Sequence, residues 1–251
     1  MQLVALTALG IGGATVAGAL LGFLFPGVSH KASDAIMSFA AGVMLAAAVI
    51  GLILPAIELD GAGGVWTVGA GIFFGAVFLN LMDKLTPHLH HISGLDEEKH
   101  QNGNINKVLL FVLAIAIHNL PEGLAAGVSF GGGSLDNALS VAAGIALQNI
   151  PEGMIIISPM LLAGMSRRRT FAVAASTGLV EVLGTFVGFA ATSVSAVILP
   201  FSLSFAGGTM LYVVGDEIIP ETHSHGYERL ATYSMLAGFV LMLVMDAVIS
   251  A

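Results

Sequence analysis

Two hexapeptides, His118-Asn-Leu-Pro-Glu-Gly123 and Gln148-Asn-Ile-Pro-Glu-Gly153, place a carboxylate inside otherwise apolar stretches of this chain. On a helix, residues three and four apart share a face. Each copy therefore turns an amide, and an imidazole or second amide, the same way as its glutamate. A carboxylate near the centre of a bilayer costs on the order of 2.5–3.5 kcal/mol by insertion scales. Two copies at one spacing point to a shared positive guest. Imidazole, carboxylate and amide oxygen suit a divalent transition metal, and the chain has no cysteine to offer thiolate. Pro121 and Pro151 lack an N–H, so the carbonyls of Ile117 and Leu147 lose their helical partners, and both helices are expected to bend around one polar cavity. Glu181 adds a third carboxylate in a later apolar stretch. Three adjacent negative charges need a proton or a cation among them.

The elements that must hold these groups are membrane helices. Hydrophobic residues make up 56% of the 251 and charged residues only 10%, where a soluble domain carries about 25% charge. Mean hydropathy is +0.93. A span needs roughly 20 mostly apolar residues. Eight such stretches lie near 3–25, 35–57, 62–82, 107–130, 137–162, 169–193, 198–219 and 230–250. This predicts an all-α integral membrane protein: one transmembrane domain over 1–251, with the candidate site between spans 4, 5 and 6. The first stretch has no basic leader region or small-residue cleavage site and is read as a retained span.

The cations orient the bundle. Lys31, Lys84, Lys99, Lys107, Arg167, Arg168, Arg169 and Arg229 all fall in loops 1–2, 3–4, 5–6 and 7–8. By the positive-inside rule those loops are cytoplasmic and both termini are extracytoplasmic. The net charge of −8 offers nothing to nucleic acid. Seven of the eight histidines follow the cations, and only His118 lies within a span. A His-containing cytoplasmic loop, about 84–106, carries His88, His90 and His91. With Asp83, Asp216, Glu217, His223 and His225, these groups face the cytoplasmic end and are read as an exit path or sensor. Gly18-x-x-x-Gly22, Gly71-x-x-x-Gly75 and Gly184-x-x-x-Gly188 should let helices approach closely. No G-x-x-x-x-G-K-[ST] loop occurs, so no Walker-type ATPase is expected; Gly131-Gly-Gly-Ser134 has no lysine.

The doubled N-x-P-E-G motif, the setting of Glu181 and the eight spans together resemble the ZIP (Zrt-, Irt-like) divalent metal transporters, nearest to their bacterial GufA-like and ZupT-like branch. That resemblance implies a non-enzymatic transporter of the plasma (inner) membrane, with no cofactor, carrying Zn²⁺ and related ions such as Fe²⁺, Mn²⁺ or Cd²⁺ into the cytoplasm. It further implies two metal positions. One uses His118, Glu122, Gln148 and Glu152, with Met44 of span 2 as a soft ligand. The other uses Asn119, Glu122, Asn149, Glu152 and Glu181. Gln148 and Asn149 stand where some relatives have histidine and aspartate, which weakens both positions. Inverted pairing of spans 1–3 with 6–8, an elevator-like movement of spans 1, 4, 5 and 6, and a homodimer are also implied; only the repeat of spans 4 and 5 is read from the letters. From the residues alone, an intramembrane metal-dependent hydrolase is the alternative. It lacks an H-E-x-x-H motif and a second intramembrane histidine. A metal sensor would need a signalling domain that the eight spans leave no room for.

Overall fold

The computed structural model describes residues 1–25, 27–60, 64–132, 134–194 and 196–251, apart from 86–102; side chains are described except at 83, 85, 103–114, 193, 194 and 196. Eight helical rods succeed one another among the described residues. They are α1 (Gln2–Leu24), α2 (His30–Asp60), α3 (Gly64–Leu85), α4 (Gly103–Ser129), α5 (Leu135–Leu162), α6 (Arg167–Val194), α7 and α8 (Glu228–Ile249). Rod α7 runs Leu199–Tyr212, turns π-helical over Val213–Ile218 and ends as Ile219–Thr222; α2 has its own π-helical stretch at Ala47–Ile53. No strand occurs among the described residues, as expected where lipid cannot hydrogen-bond an open backbone. Side chains of Ser29 and Ser134 cap α2 and α5 by accepting from Ala32 N and Asn137 N. Rods α4 and α5 continue through Pro121 and Pro151.

Six rods are long and apolar enough to cross a membrane: α1, α2, α3 (over Gly64–Met82), α5, α6 (over Arg167–Thr192) and α8. The two others carry polar groups in their described parts. His118, Asn119 and Glu122 lie on α4, and Asp216 and Glu217 sit in the π-helical part of α7. The chain is a multi-pass helical membrane protein.

Close pairs organise the bundle: α1 with α5, α4 with α6, α1 with α6, α2 with α8, and α3 with α7. Glycines make these crossings possible. A Cβ on Gly12 or Gly178 would lie 2.6 Å from the other's carbonyl oxygen. One on Gly18 would strike the Ile150 carbonyl, and one on Gly184 would lie 2.7 Å from the Leu120 carbonyl. All six glycines of the three G-x-x-x-G pairs make such crossings within the chain.

These crossings expose a repeat that the reading of spans 4 and 5 alone misses. Gly12, Thr15, Gly18 and Gly22 of α1 recur as Gly178, Glu181, Gly184 and Gly188 of α6, at an offset of 166 residues. At the same offset, Ser38-Phe-Ala-Ala-Gly-Val-Met-Leu45 of α2 recurs as Ser204-Phe-Ala-Gly-Gly-Thr-Met-Leu211 of α7, differing at two positions. Contacts recur with the letters. Gly42 abuts the Met235 carbonyl as Gly208 abuts that of Ile72, and Gly238 abuts the Phe39 carbonyl as Gly75 abuts that of Phe205. The two π-helical stretches begin at matching positions, Ala47 and Val213. Spans 1–3 thus answer to spans 6–8, and α4 answers to α5. The repeat is short, Gly- and Ala-rich and interrupted by two unlike helices, so it emerges only when the contacts align it.

Backbone contact at a crossing leaves no room to relax. Gly238→Val should destabilise the protein by at least about 1–3 kcal/mol, the usual cost of overpacking. Gly69→Ala, which meets nothing within 4 Å, should be neutral or stabilise by roughly 0.5–1 kcal/mol. Thermal unfolding of both variants in detergent checks this pair.

Candidate metal centre

The final glycine of each hexapeptide decides where its carboxylate sits. Gly123 lets α4 press on the backbone of Glu181 in α6, and Gly153 lets α5 press on the backbone of Thr15 in α1. Four helices therefore cross at one level, and their polar side chains meet. Glu181 is fully buried and accepts from three donors on three helices. Asn119 Nδ2 donates at 2.6 Å and Asn149 Nδ2 at 2.7 Å, while the Thr15 hydroxyl lies 2.9 and 3.1 Å from the two carboxylate oxygens. Asn149 Nδ2 also reaches the Ile11 carbonyl at 3.1 Å. Beside this cluster, Gln148 Nε2 donates to Glu122 Oε1 at 2.6 Å.

The amides of Asn119, Asn149 and Gln148 each turn their NH₂ toward a glutamate oxygen and their own oxygen away. The result is a set of buried acceptors with no donor: Asn119 Oδ1, Asn149 Oδ1, Gln148 Oε1 and Glu122 Oε2. A buried acceptor without a donor is costly unless something positive faces it. Oxygen donors of this kind fit a divalent cation as substrate. Glu152 is half-buried and within electrostatic range of His118, Glu122 and Glu181. All three intramembrane glutamates thus belong to one centre.

His118 faces another way. Its Nε2 lies 2.8 Å from Glu217 Oε1, on the π-helical part of α7. A π-turn adds a residue to the helix and rotates the segment beyond it, a common device at functional sites. In this arrangement no three His, Asp or Glu side chains among the described residues are placed to grip one metal. Met44 is fully buried in an apolar cluster that also holds Met210, its equivalent in the second repeat.

The remaining residues read as an exit path divide. Tyr212 accepts from Asn80 Nδ2 at 2.7 Å and donates to Asp216 at 3.0 Å. His223 is tied to the Ile219 carbonyl at 2.9 Å and to Thr232 at 3.1 Å, closing the end of α7. His225 lies 3.0 Å from buried Asp34 and stacks on His30. His88, His90 and His91, and the side chain of Asp83, lie outside the described residues. Sequence reasoning missed Thr15, the Ile11 carbonyl and the reach of Glu217 to His118. The G-x-x-[T/E]-x-x-G-x-x-x-G repeat would have flagged Thr15, as the partner of Glu181. Nothing in the letters flags the other two.

With eight described helices packed through glycine crossings, four of them meeting at a buried cluster of carboxylates and amides, the molecule has the build of a multi-pass membrane protein with a polar centre. Comparison with known proteins agrees. Residues 95–246 match the ZIP Zinc transporter family. The chain is 44% identical to the zinc transporter GufA of Myxococcus xanthus, over 68% of this chain and 66% of that one. It is 38% identical to the zinc transporter ZIPB of Bordetella bronchiseptica, over 93% and 77%, and 35% identical to the zinc transporter ZupT of Chlorobaculum parvum, over 92% and 91%. Its match spans less than half the length of the vertebrate ZIP11 relatives. The chain belongs to the ZIP family. That family is one of transporters, not enzymes, and the hydrolase reading falls.

Thr15→Val keeps the shape of the side chain and removes its donor. It should cost about 1.5–3 kcal/mol, the worth of a hydrogen bond to a charged group, while Thr15→Ser should stay near the parent. Unfolding midpoints of the two variants compared with the parent decide this.

Proposed function

We propose that this protein carries Zn²⁺ across the inner membrane into the cytoplasm through the centre shared by α1, α4, α5 and α6. The observation that carries the reading is the set of four buried acceptor oxygens that the doubled motif leaves without a donor. One metal position takes His118, Glu122, Gln148 and Glu152. The second takes Asn119, Glu122, Asn149, Glu152 and Glu181, the two motif glutamates bridging. The names of the relatives favour zinc as the substrate. The donor types alone do not rank metals, since selectivity among N/O sites lies in geometry.

Direction follows from charge and potential. All eight cations lie in the loops assigned to the cytoplasm or in the helix ends beside them. An inside-negative potential favours inward movement of a divalent ion by about 4.6 kcal/mol per 100 mV, twice the single-charge value. The chain carries no Walker loop, so movement is down the electrochemical gradient, or in exchange for protons held at the glutamates. Glu217 draws His118 toward the cytoplasmic end of α7 and is the first exit group, with Asp216 next on the same π-turn. His118 alternates between the metal and Glu217, passing the ion on as it swings.

Purified protein in liposomes should admit Zn²⁺ to a trapped fluorescent chelator, and Glu152→Ala should abolish the influx. Unchanged influx in that variant would overturn the route. Glu181→Gln should lower the number of metal ions retained per chain; an unaltered stoichiometry of one in both proteins removes the second position. Glu217→Gln should slow influx several-fold while metal retention persists, which separates delivery from binding.

A further inference from the structure

At the cation-bearing end of the bundle, the last turns of α1 and the first turn of α6 border a shallow, open groove of ≈ 310 Å³, lined by Leu20, Phe23, Arg167, Arg168 and Phe171. Its exposed lining is almost wholly apolar, and two arginines border it. Neither Arg167 nor Arg168 has a side-chain acceptor, carboxylate or aromatic partner among the described residues, and nor does Arg169 beside them. Three of the four arginines in the chain sit in this one run, while the other cytoplasmic loops rely mainly on lysine.

The internal repeat supplies a comparison. At the opposite end of the same helix pair, Phe186 and Phe189 of α6 stand at the positions of Leu20 and Phe23, and Met1 and Gln2 of α1 stand at those of Arg167 and Arg168. The apolar walls recur and the cations do not. Packing of α1 against α6 therefore has no need of the arginines. Topology requires positive charge on this side of the membrane, yet it does not require that charge to border an apolar groove.

We propose that this groove binds an anionic phospholipid, its phosphate held by Arg167 and Arg168 and an acyl chain lying along Leu20, Phe23 and Phe171. Guanidinium presents a planar fork that matches phosphate oxygens in pairs, which a lysine ammonium does not. Basic pockets between membrane helices at the cytoplasmic face select acidic headgroups for this reason. The lipid would span the far ends of the two helices whose middles join Thr15 to Glu181, and so brace the metal centre from outside it.

The test uses the full chain in nanodiscs of phosphatidylcholine with a rising share of phosphatidylglycerol, reading retained lipid by native mass spectrometry and thermal midpoint in parallel. Wild-type protein should retain phosphatidylglycerol over phosphatidylcholine and melt higher as its share rises. R167Q/R168Q should weaken that retention by roughly 30-fold, each juxtamembrane cation being worth about fivefold. R169Q, outside the groove, should lower it by no more than about fivefold. Phe23→Trp fills the floor without touching charge and should also weaken retention. Equal retention of the two lipids by the wild type, or full retention by R167Q/R168Q, overturns the proposal. So does displacement of the lipid by millimolar inorganic phosphate alone, which would mark a small-anion site.

Discussion

Everything at the centre of this molecule depends on keeping the Glu181 carboxylate in a place where charge is unwelcome. Three donors from α1, α4 and α5 converge on it, and each reaches it only because glycine crossings bring those helices to within backbone contact of α6 or of one another. The carboxylate in turn orients both motif asparagines. Their NH₂ groups are committed to Glu181, so their oxygens face elsewhere without donors. A structural interaction thus manufactures a set of free acceptors. The cation site proposed here rests on those acceptors, and so on how Glu181 is satisfied.

The two copies of the scaffold are alike in packing and unlike in chemistry. Gly12 and Gly178 answer each other, as do Gly42 and Gly208, while Thr15 answers to Glu181, His118 to Gln148 and Gly51 to Glu217. The π-helical stretch of α7 carries Asp216 and Glu217, whereas its counterpart in α2, Ala47–Ile53, is wholly apolar.

Much of this was legible in the letters. The eight apolar stretches, the single-sided cations and the doubled hexapeptide all rest on local composition and spacing, which helices in lipid obey closely because backbone groups must be satisfied within the segment. The rods start or stop within five residues of the stretches, α2 and α4 starting earliest because His30–Asp34 and Gly103–Asn106 carry their helices into polar sequence. What stayed hidden needed long-range geometry. Thr15 resembles any small residue of an apolar helix until Gly153 places it against α5. Glu217 resembles a residue at a helix end until a π-turn rotates it toward His118. Met44, a soft ligand by resemblance, lies buried in one apolar cluster with Met210.

The inverted repeat carries one more consequence. In a frame built twice, a side chain that packs is answerable to both halves, because each half presses on the same kind of neighbour. A side chain that acts is answerable to only one. Phe39 with Phe205 and Met44 with Met210 have stayed alike. Thr15 with Glu181, Gly51 with Glu217, and Met1 with Arg167 have drifted apart. At each of these three positions one half carries an uncharged residue and the other a charged one, so the halves share a frame without sharing its charge.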